Sequence, residues 1–171
     1  GAQALIVAGG EAMGFVADSD EGARDVAYSA ASYTLGAAVN VEILSTITHA
    51  ATAAINLTGN ASQNQLIGNA GANILDGGGA SNGRDTLQGL DGNDIYIIRQ
   101  GDEIIYEMTG GGTDEARSAV NYALVATVQV ERMSTIDASA TTAIALRGNE
   151  FEQEITGNAG QGSTGLPVKC Q

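Results

Sequence analysis

The 171-residue sequence contains no tryptophan, one proline and one cysteine, and aromatic residues make up only 4% of it. Because Cys170 has no second cysteine to pair with, no disulfide within this chain can hold its fold together. A globular core usually uses more large side chains than this composition offers. We therefore expect a thin core of isoleucine, leucine, valine and alanine between short strands.

Positive charge is also scarce, since 7 basic residues stand against 20 acidic ones and give a formal net charge of −13. Nucleic acids and anionic membrane surfaces attract lysine and arginine, so neither is expected as a partner. No stretch approaches the ~18 consecutive apolar residues of a membrane helix, so no membrane insertion is expected. The apolar residues 2–10 lack the basic start and the cleavage site of a signal peptide, which is compatible with a C-terminal export signal or with a fragment of a longer protein.

Groups suited to catalysis are few. The single histidine, His49, lies in an alanine- and threonine-rich run and is interpreted as an isolated surface residue, and Cys170 has no histidine nearby in sequence. Nothing resembles a nucleophile elbow. Glu42 and Glu131 could mimic the paired carboxylates of glycosidases, but we interpret them as repeated solvent-facing residues. The sequence therefore predicts no catalytic residues and no enzyme.

Glycine, in contrast, is abundant at 24 residues, and many of them fall between Leu57 and Ile98. This stretch divides into four rows of about nine residues, each opening with glycine, with Asn or Asp near the sixth place and an apolar residue two places later. The rows are Gly59 to Ile67, Gly68 to Asp76, Gly77 to Gln88 and Gly89 to Ile97. The third row is longer because Ala80, Ser81 and Asn82 form an insertion.

The chemistry of one such row points to a hard cation. Glycine is needed where the backbone turns through positive φ and where carbonyl groups crowd an ion. Ca²⁺ takes six to eight oxygens at ~2.3–2.6 Å from carboxylates and carbonyls, and one aspartate per turn with several carbonyls supplies about half of that shell. The apolar residue that follows points inward from a short strand. Such a thin roll buries little per row, so metal-binding energy becomes folding energy.

The fourth row, Gly89-Leu90-Asp91-Gly92-Asn93-Asp94-Ile95-Tyr96-Ile97, fits the pattern G-G-x-G-x-D-x-U-x, with U a large apolar residue, at every place except the second glycine. This stretch therefore resembles the RTX, or hemolysin-type calcium-binding, family. The resemblance implies an all-β fold, a right-handed parallel β-roll or β-solenoid, with Ca²⁺ as its cofactor. It also implies export in unfolded form by a type I system into calcium-rich surroundings.

Successive rows should lie on alternate edges of the roll, so that Asp85 faces Asn64 and Asp94 faces Asn73. Asp102 could extend the first of these edges. Asp114 could extend the second. The candidate calcium ligands are Asn64, Gly68, Asn69, Gly71, Asn73, Gly77, Gly78, Gly79, Gly83, Asp85, Gly89, Asp91, Gly92, Asp94, Asp102 and Asp114. The alternative is that aspartates in such turns make Asx-turn hydrogen bonds, an interpretation best suited to Asp76 and Asp91, although Asp91 could still donate its carbonyl.

A second regularity is an internal duplication with a period of 89 residues. Residues 25–71 align without a gap with residues 114–160, and 24 of 47 positions are identical. Such a duplication predicts a repeat architecture whose units pack on their neighbours. We divide the chain into residues 1–24 (end of a preceding repeat), 25–113 (repeat one, calcium rows at about 59–97), 114–160 (repeat two, truncated) and 161–171 (a tail).

The segments between the rows are predicted to be short strands, at residues 33–35, 39–44 and 54–57 in repeat one. Residues 113–124 resemble the spacer found between RTX blocks. In the 89-residue register, residues 4–7 correspond to residues 93–96. The acidic residues 18–22 form either a solvated turn or a metal site. The row at Gly148 lacks aspartate, so no ion is expected there.

The leading functional hypothesis is a calcium-binding structural module of a secreted bacterial protein, such as an adhesin, a surface-layer component or a large exoprotein. One alternative is an accessory calcium-binding module of a secreted protease, lipase or alginate epimerase. Another is a subunit that self-assembles into an extracellular filament or sheet. The expected partners are calcium ions and neighbouring repeats or copies of the chain, and the expected location is extracellular or on the cell surface.

Overall fold

The computed structural model describes the backbone of residues 4–7 and the whole of residues 24–79 and 83–160. Within these ranges the chain forms short strands and turns, and no described residue is helical. The strands are β1 (Ala4–Val7), β2 (Val26–Ser29), β3 (Tyr33–Thr34), β4 (Ile43–Thr46), β5 (Leu57–Thr58), β6 (Gln65–Ile67), β7 (Ile74–Asp76), β8 (Thr86–Gln88), β9 (Ile95–Ile98), β10 (Ile104–Tyr106), β11 (Glu115–Ser118), β12 (Tyr122–Ala123), β13 (Arg132–Thr135), β14 (Leu146–Arg147) and β15 (Glu154–Thr156). The predictions for residues 18–22, for the insertion Ala80 to Asn82 and for the tail with Cys170 lie outside the described residues.

From β2 onward the chain passes back and forth between two parallel sheets. The first sheet has the order β1-β2-β4-β6-β8-β10, and the second has the order β3-β5-β7-β9-β11-β13-β15. Strands β12 and β14 form a separate parallel pair, and the Tyr122 hydroxyl of β12 donates to the Glu103 carbonyl next to β10 at 3.1 Å. Parallel neighbours need a crossover connection, which here is a strand of the opposite sheet. The prediction of an all-β parallel β-solenoid is confirmed.

The interior is a double column of apolar side chains, one from each strand, because successive strand residues point to opposite faces. The register stacks Ala27, Leu44, Leu66, Leu87 and Ile105 in the first sheet, and Leu57, Leu75, Tyr96, Ala116 and Met133 in the second, each at most 1% exposed. Burying one leucine contributes ~1.5–3 kcal/mol, so this thin core gains stability turn by turn.

The 89-residue repeat contains an odd number of strands, so equivalent strands of the two copies lie in opposite sheets. Strand β2 is equivalent to β11, nine strands later, so the first lies in the first sheet and the second in the second sheet. The contacts are nevertheless kept: the Ile43 amide donates to the Asp25 carbonyl at 3.0 Å, and the Arg132 amide donates to the Asp114 carbonyl at 3.0 Å. The sequence repeat is therefore a structural repeat whose successive copies face opposite ways.

The predicted strand at residues 39–44 is mostly irregular, and only its last two residues belong to β4. Two carbonyls of this segment are occupied by asparagine side chains. Asn60 Nδ2 donates to the Val39 carbonyl and Asn64 Nδ2 to the Val41 carbonyl, both at 2.7 Å. These two carbonyls therefore accept hydrogen bonds from asparagine side chains and not from a neighbouring strand.

Strand β1 is displaced by two residues from its predicted place. Ala4 pairs with Val26, whose repeat equivalent Glu115 pairs with Ile95, so Ala4 takes the place of Ile95 and not that of Asn93. The spacing from Ala4 to Val26 is 22 residues, whereas that from Ile95 to Glu115 is 20, so an ungapped alignment misplaces the strand.

Candidate metal centre

Each turn of the solenoid points three alternate residues inward, one before the strand, one within it and one after it. In one turn these residues are Asn64, Leu66 and Gly68, all buried. The residue before the strand is polar throughout this region and is at most 3% exposed, as in Asn64, Asp85 and Glu103 of the first sheet and Asn73, Asp94 and Asp114 of the second. Buried polar groups need hydrogen-bond partners or an ion, so these columns define the candidate site.

The neighbours that the rows predict do lie side by side. The backbone amide of Asn64 donates to Asp85 Oδ1 at 2.8 Å, and that of Asn73 donates to Asp94 Oδ1 at 2.7 Å. The amide of Asp94 in turn donates to Asp114 Oδ1 at 2.7 Å. We call the turns that contain Asp85 the Asp85 edge, and those that contain Asp94 and Asp114 the Asp94 edge.

The first glycine of each row makes room for the side chain at the sixth place. A Cβ atom on Gly68 would overlap Asn73 Oδ1, and one on Gly89 would overlap Asp94 Oδ2. The same overlap would occur between Gly59 and Asn64, between Gly77 and Asp85, and between Gly148 and Gln153. Glycine opens the row because any side chain there would occupy the space of the inward-pointing oxygen.

In the third and fourth rows the second place has a left-handed backbone. Gly78 has a φ of 95°, and Leu90, at the same place in the fourth row, has a φ of 82°. A Cβ atom on Gly78 would also lie 2.6 Å from the Gly59 carbonyl oxygen. Positive φ is costly for a residue other than glycine. The single departure of the fourth row from the glycine pattern is therefore a strained leucine.

The remaining predicted glycines are close to other parts of the chain and not to a carboxylate. A Cβ on Gly92 would lie 2.6 Å from the Gly71 carbonyl oxygen, which shows how closely these two turns stack. A Cβ on Gly79 would meet the Arg99 side chain at 2.6 Å, and one on Gly83 would overlap the side chain of Gln63.

Asn69, another predicted ligand, uses its side chain within the protein. Its Nδ2 donates to the Ala53 carbonyl at 2.9 Å, and its Oδ1 accepts from the Gly71 amide at 3.0 Å and from Asn73 Nδ2 at 2.9 Å. The described contacts of Asn69 are those of a residue that fixes the turn.

Two predicted aspartates, Asp91 and Asp102, are exposed and lie outside the buried columns. The place assigned to Asp102 on the Asp85 edge is taken by the next residue, Glu103, which is 3% exposed. The Glu103 carboxylate accepts hydrogen bonds from three consecutive backbone amides, those of residues 99–101, at 2.7–2.8 Å. The buried acid at this place therefore already has protein donors.

The Asp85 edge also has a protein cation next to it. Arg99 forms a two-pronged ion pair with Asp76, with Nη2 2.6 Å from Oδ2 and Nε 2.8 Å from Oδ1. Asp76 Oδ1 also accepts the Gly78 amide at 3.0 Å, which is the Asx-turn contact predicted for this residue. Burial raises the pKa of Asp85 to about 6, although the hydrogen bond from the Asn64 amide opposes this shift.

The Asp94 edge differs because three buried carboxylates converge there. Asp94, Glu107 and Asp114 each offer one oxygen, and these oxygens all lie within 4.8 Å of one another. Asp94 Oδ2 has no hydrogen-bond partner among the described residues, and the ion pairs found in the same part of the chain involve other carboxylates. The hydroxyl of Tyr96 donates to Glu107 Oε2. This cluster has no protein cation to compensate its charge within the described residues.

Burial shifts all three carboxylates toward the protonated form. It raises the pKa of Asp94 to about 7, with the nearby charge of Asp114 adding to the shift and the hydrogen bond from the Asn73 amide opposing it. Burial likewise raises the pKa of Glu107 to about 8 and that of Asp114 to about 6. A bound cation would supply the missing positive charge and displace the protons.

Glu107 is the functional candidate that the row pattern misses. It follows β10 in the place that Gly68 and Gly89 hold after the two preceding strands of the first sheet, because Tyr106 pairs with Gln88. The nonapeptide pattern requires glycine at this place and therefore does not identify Glu107. The signal that reveals it is the alternation of Glu103, Ile105 and Glu107, which places all three side chains inward.

The residues considered for catalysis have structural contacts. His49 is exposed, as predicted, but it is not isolated, because its Nε2 lies 3.0 Å from the Ser45 Oγ. Glu42 and Glu131 are half-buried and not solvent-facing, because the place before a strand points inward. Their Oε2 atoms accept the backbone amides of Asp25 and Asp114 at 2.7 Å and 2.8 Å. Both glutamates therefore belong to the polar columns.

No protein-family model matches the chain, and neither the curated proteins nor the solved structures contain a significant match to it. Among the residues that the structure describes, none forms a helix long and apolar enough to cross a membrane.

Proposed function

We propose that the chain is a calcium-dependent structural module of a secreted bacterial protein, of the adhesin, surface-layer or large-exoprotein kind. The stacked repeat turns of the β-solenoid support a structural role. The observation that carries the calcium part is the buried cluster of Asp94, Glu107 and Asp114, in which one carboxylate oxygen is unpartnered.

The donor chemistry of the cluster favours calcium among common ions. Its ligands are oxygens, which suit Ca²⁺ and Mg²⁺, whereas Zn²⁺ is usually held by sulfur and nitrogen. Ca²⁺ accepts irregular sets of carboxylates and carbonyls, while Mg²⁺ demands a near-octahedral arrangement and keeps several waters. The neighbour of Asp94 on one side is the neutral Asn73, which lowers the charge of the site relative to an Asp–Asp pair.

A modest affinity of the proposed site for calcium is consistent with an extracellular location. Calcium sites of extracellular modules have dissociation constants of ~10⁻⁴–10⁻³ M, and such sites remain largely empty at cytosolic calcium concentrations. A chain with a net charge of −13 and buried carboxylates is therefore disfavoured in its folded form until it meets calcium. This coupling supports export in an unfolded state followed by folding outside the cell, which is what the resemblance to RTX repeats implies.

The proposal is tested by far-UV circular dichroism of the chain in chelator and during titration with CaCl₂, with MgCl₂ as the control. We expect most of the β signal to be lost in chelator and restored cooperatively by Ca²⁺, with Mg²⁺ much less effective. Equal β signal and equal thermal stability in chelator and in calcium would refute the proposed function.

A further inference from the structure

We infer that the calcium ion of the proposed module is bound at the Asp94 edge by Asp94, Glu107 and Asp114, with Glu107 as a ligand that the nonapeptide pattern does not contain. This inference rests on the proposed function and assigns its site. Asp94 and Asp114 precede strands of the second sheet, and Glu107 follows β10 of the first sheet. All three side chains therefore belong to turns that lead from the first sheet to the second.

The spacing of the oxygens suits one Ca²⁺ ion. Bonds of ~2.3–2.6 Å place opposite ligands of one ion about 4.6–5.2 Å apart. The three carboxylates offer oxygens that all lie within 4.8 Å of one another. The spacing of these oxygens is therefore compatible with one ion shared by all three carboxylates.

Two further observations point to a ligand beside these groups. Asp94 Oδ2 is buried and has no hydrogen-bond partner among the described residues, although leaving such a group unpaired is costly. A Cβ atom on Gly111 would meet both Glu107 Oε1 and the Leu90 carbonyl oxygen, the latter at 2.8 Å, so a backbone carbonyl lies near the Glu107 carboxylate. An ion held by the cluster would pair the Asp94 oxygen.

Tyr96 acts as a positioning residue for Glu107. Its ring fills the place that leucine holds in the neighbouring turn, and its hydroxyl donates to Glu107 Oε2 while accepting from the Gly89 amide at 3.1 Å. The other oxygen, Oε1, accepts the Met108 amide at 3.0 Å. The Glu107 carboxylate is thus held in its inward orientation by two donors from the protein.

The two edges are not equivalent. At the Asp85 edge, Glu103 accepts three backbone amides and Arg99 pairs with Asp76, so protein donors already meet the negative charge. Among the described residues, the three carboxylates of the Asp94 edge accept hydrogen bonds only from the Tyr96 hydroxyl and from backbone amides. The stronger demand for an external cation is therefore at the Asp94 edge.

The site assignment is tested by calorimetric titration of Ca²⁺ into the whole chain after chelator treatment. The variant Glu107→Gln removes one negative charge and keeps the size of the side chain, and we expect it to weaken calcium binding at least about tenfold. The matched control is Glu154→Gln, the same change at an exposed residue whose ion pair with Arg132 is 3.7 Å long, and we expect it to bind as the wild type does.

A second readout separates a ligand from a residue with only a structural role. In chelator at pH 9, where all three carboxylates are charged, Glu107→Gln should retain more β signal in circular dichroism than the wild type, because one of three mutually repelling carboxylates is gone. On addition of calcium it should gain less β signal and less stability than the wild type. A purely structural role would lower the β signal or the stability in both conditions, and that result would overturn the inference.

Terbium luminescence gives a measure of location that does not depend on Glu107→Gln. Tb³⁺ that binds beside Tyr96 should emit on tyrosine excitation, and Tyr96→Phe should lose most of that emission while still binding the ion. Unchanged emission from Tyr96→Phe, or wild-type calcium affinity in Glu107→Gln, would overturn the site while leaving the proposed function intact. A wild-type chain that neither binds calcium nor responds to chelator would overturn both.

Discussion

The backbone amide of Asp114 donates a 2.8 Å hydrogen bond to Oε2 of Glu131, and 89 positions earlier the amide of Asp25 makes the same bond to Glu42 at 2.7 Å. A glutamate before one strand thus satisfies an amide in the preceding turn. The shorter side chain of Asp114 does the same for the amide of Asp94. The polar columns are therefore hydrogen-bond ladders in their own right, and the proposed cation would be required only where several carboxylates meet.

This ladder predicts a difference between two substitutions of Glu131. Glu131→Ala leaves the amide of the buried Asp114 without its acceptor and should destabilise the fold by ~1–3 kcal/mol, whereas Glu131→Gln keeps an acceptor oxygen and should cost less than ~1 kcal/mol. Urea unfolding in saturating calcium measures both, with Glu154→Ala as an exposed control. Equal losses for the two Glu131 variants would mean that the charge, not the hydrogen bond, matters.

Leu90 offers a stabilising substitution. Because its φ of 82° is costly for leucine and free of strain for glycine, Leu90→Gly should raise stability by ~0.5–1 kcal/mol after allowing for the greater flexibility of unfolded glycine. Gly78→Ala, the opposite change at the same place in the preceding row, should destabilise by ~1–2 kcal/mol or more, since its Cβ would press on the Gly59 carbonyl. Denaturant midpoints measure both. A less stable Leu90→Gly would show that its side-chain contacts outweigh the strain.

The pH dependence of stability should change sign with calcium. In chelator, the pKa values of Asp94 (about 7), Glu107 (about 8) and Asp114 (about 6) exceed those of unfolded carboxyl groups, so the folded protein binds more protons than the unfolded chain does. Stability is then greatest below the unfolded pKa values near ~4 and falls as pH rises through the raised ones. In calcium it should hold or rise with pH, because the ion displaces protons.

Far-UV circular dichroism at pH 5 and pH 8, each in chelator and in calcium, measures this dependence. When the pH is raised from 5 to 8 in chelator, Glu107→Gln should lose less β signal than the control Glu154→Gln does, which separates the buried cluster from the overall negative charge. Stability that increases with pH in chelator would contradict the raised pKa values.

Much of the fold follows from local patterns in the sequence. The nine-residue rows give the alternation between sheets, and they place Asn64 beside Asp85 and Asn73 beside Asp94 because each row is half a turn. The glycine at the start of each row and the polar residue at its sixth place form one steric unit, so these rows are easy to recognise.

The sequence is less informative where no glycine row exists. The two-residue strands β3 and β5 give no clear alternation, so the odd number of strands in one repeat, and with it the reversal of face between copies, is not visible in an alignment. The same limit explains why Glu103, not Asp102, lies in the buried column. Glu107 is missed because it replaces a glycine, and only the packing of β10 beside β8 shows that it points at Asp94.

The last prediction compares the two edges directly by calcium titration of Asp94→Asn and Asp85→Asn. Both changes remove one buried charge and keep an acceptor for the amide of the preceding turn, so any difference reports on the ion. Asp94 lies in the uncompensated cluster and has a free oxygen, so Asp94→Asn should weaken calcium binding at least about tenfold. Asp85 lies on the edge with Arg99, so Asp85→Asn should change the affinity by less than about threefold. A larger loss in Asp85→Asn than in Asp94→Asn would place the ion that folds the solenoid on the Asp85 edge.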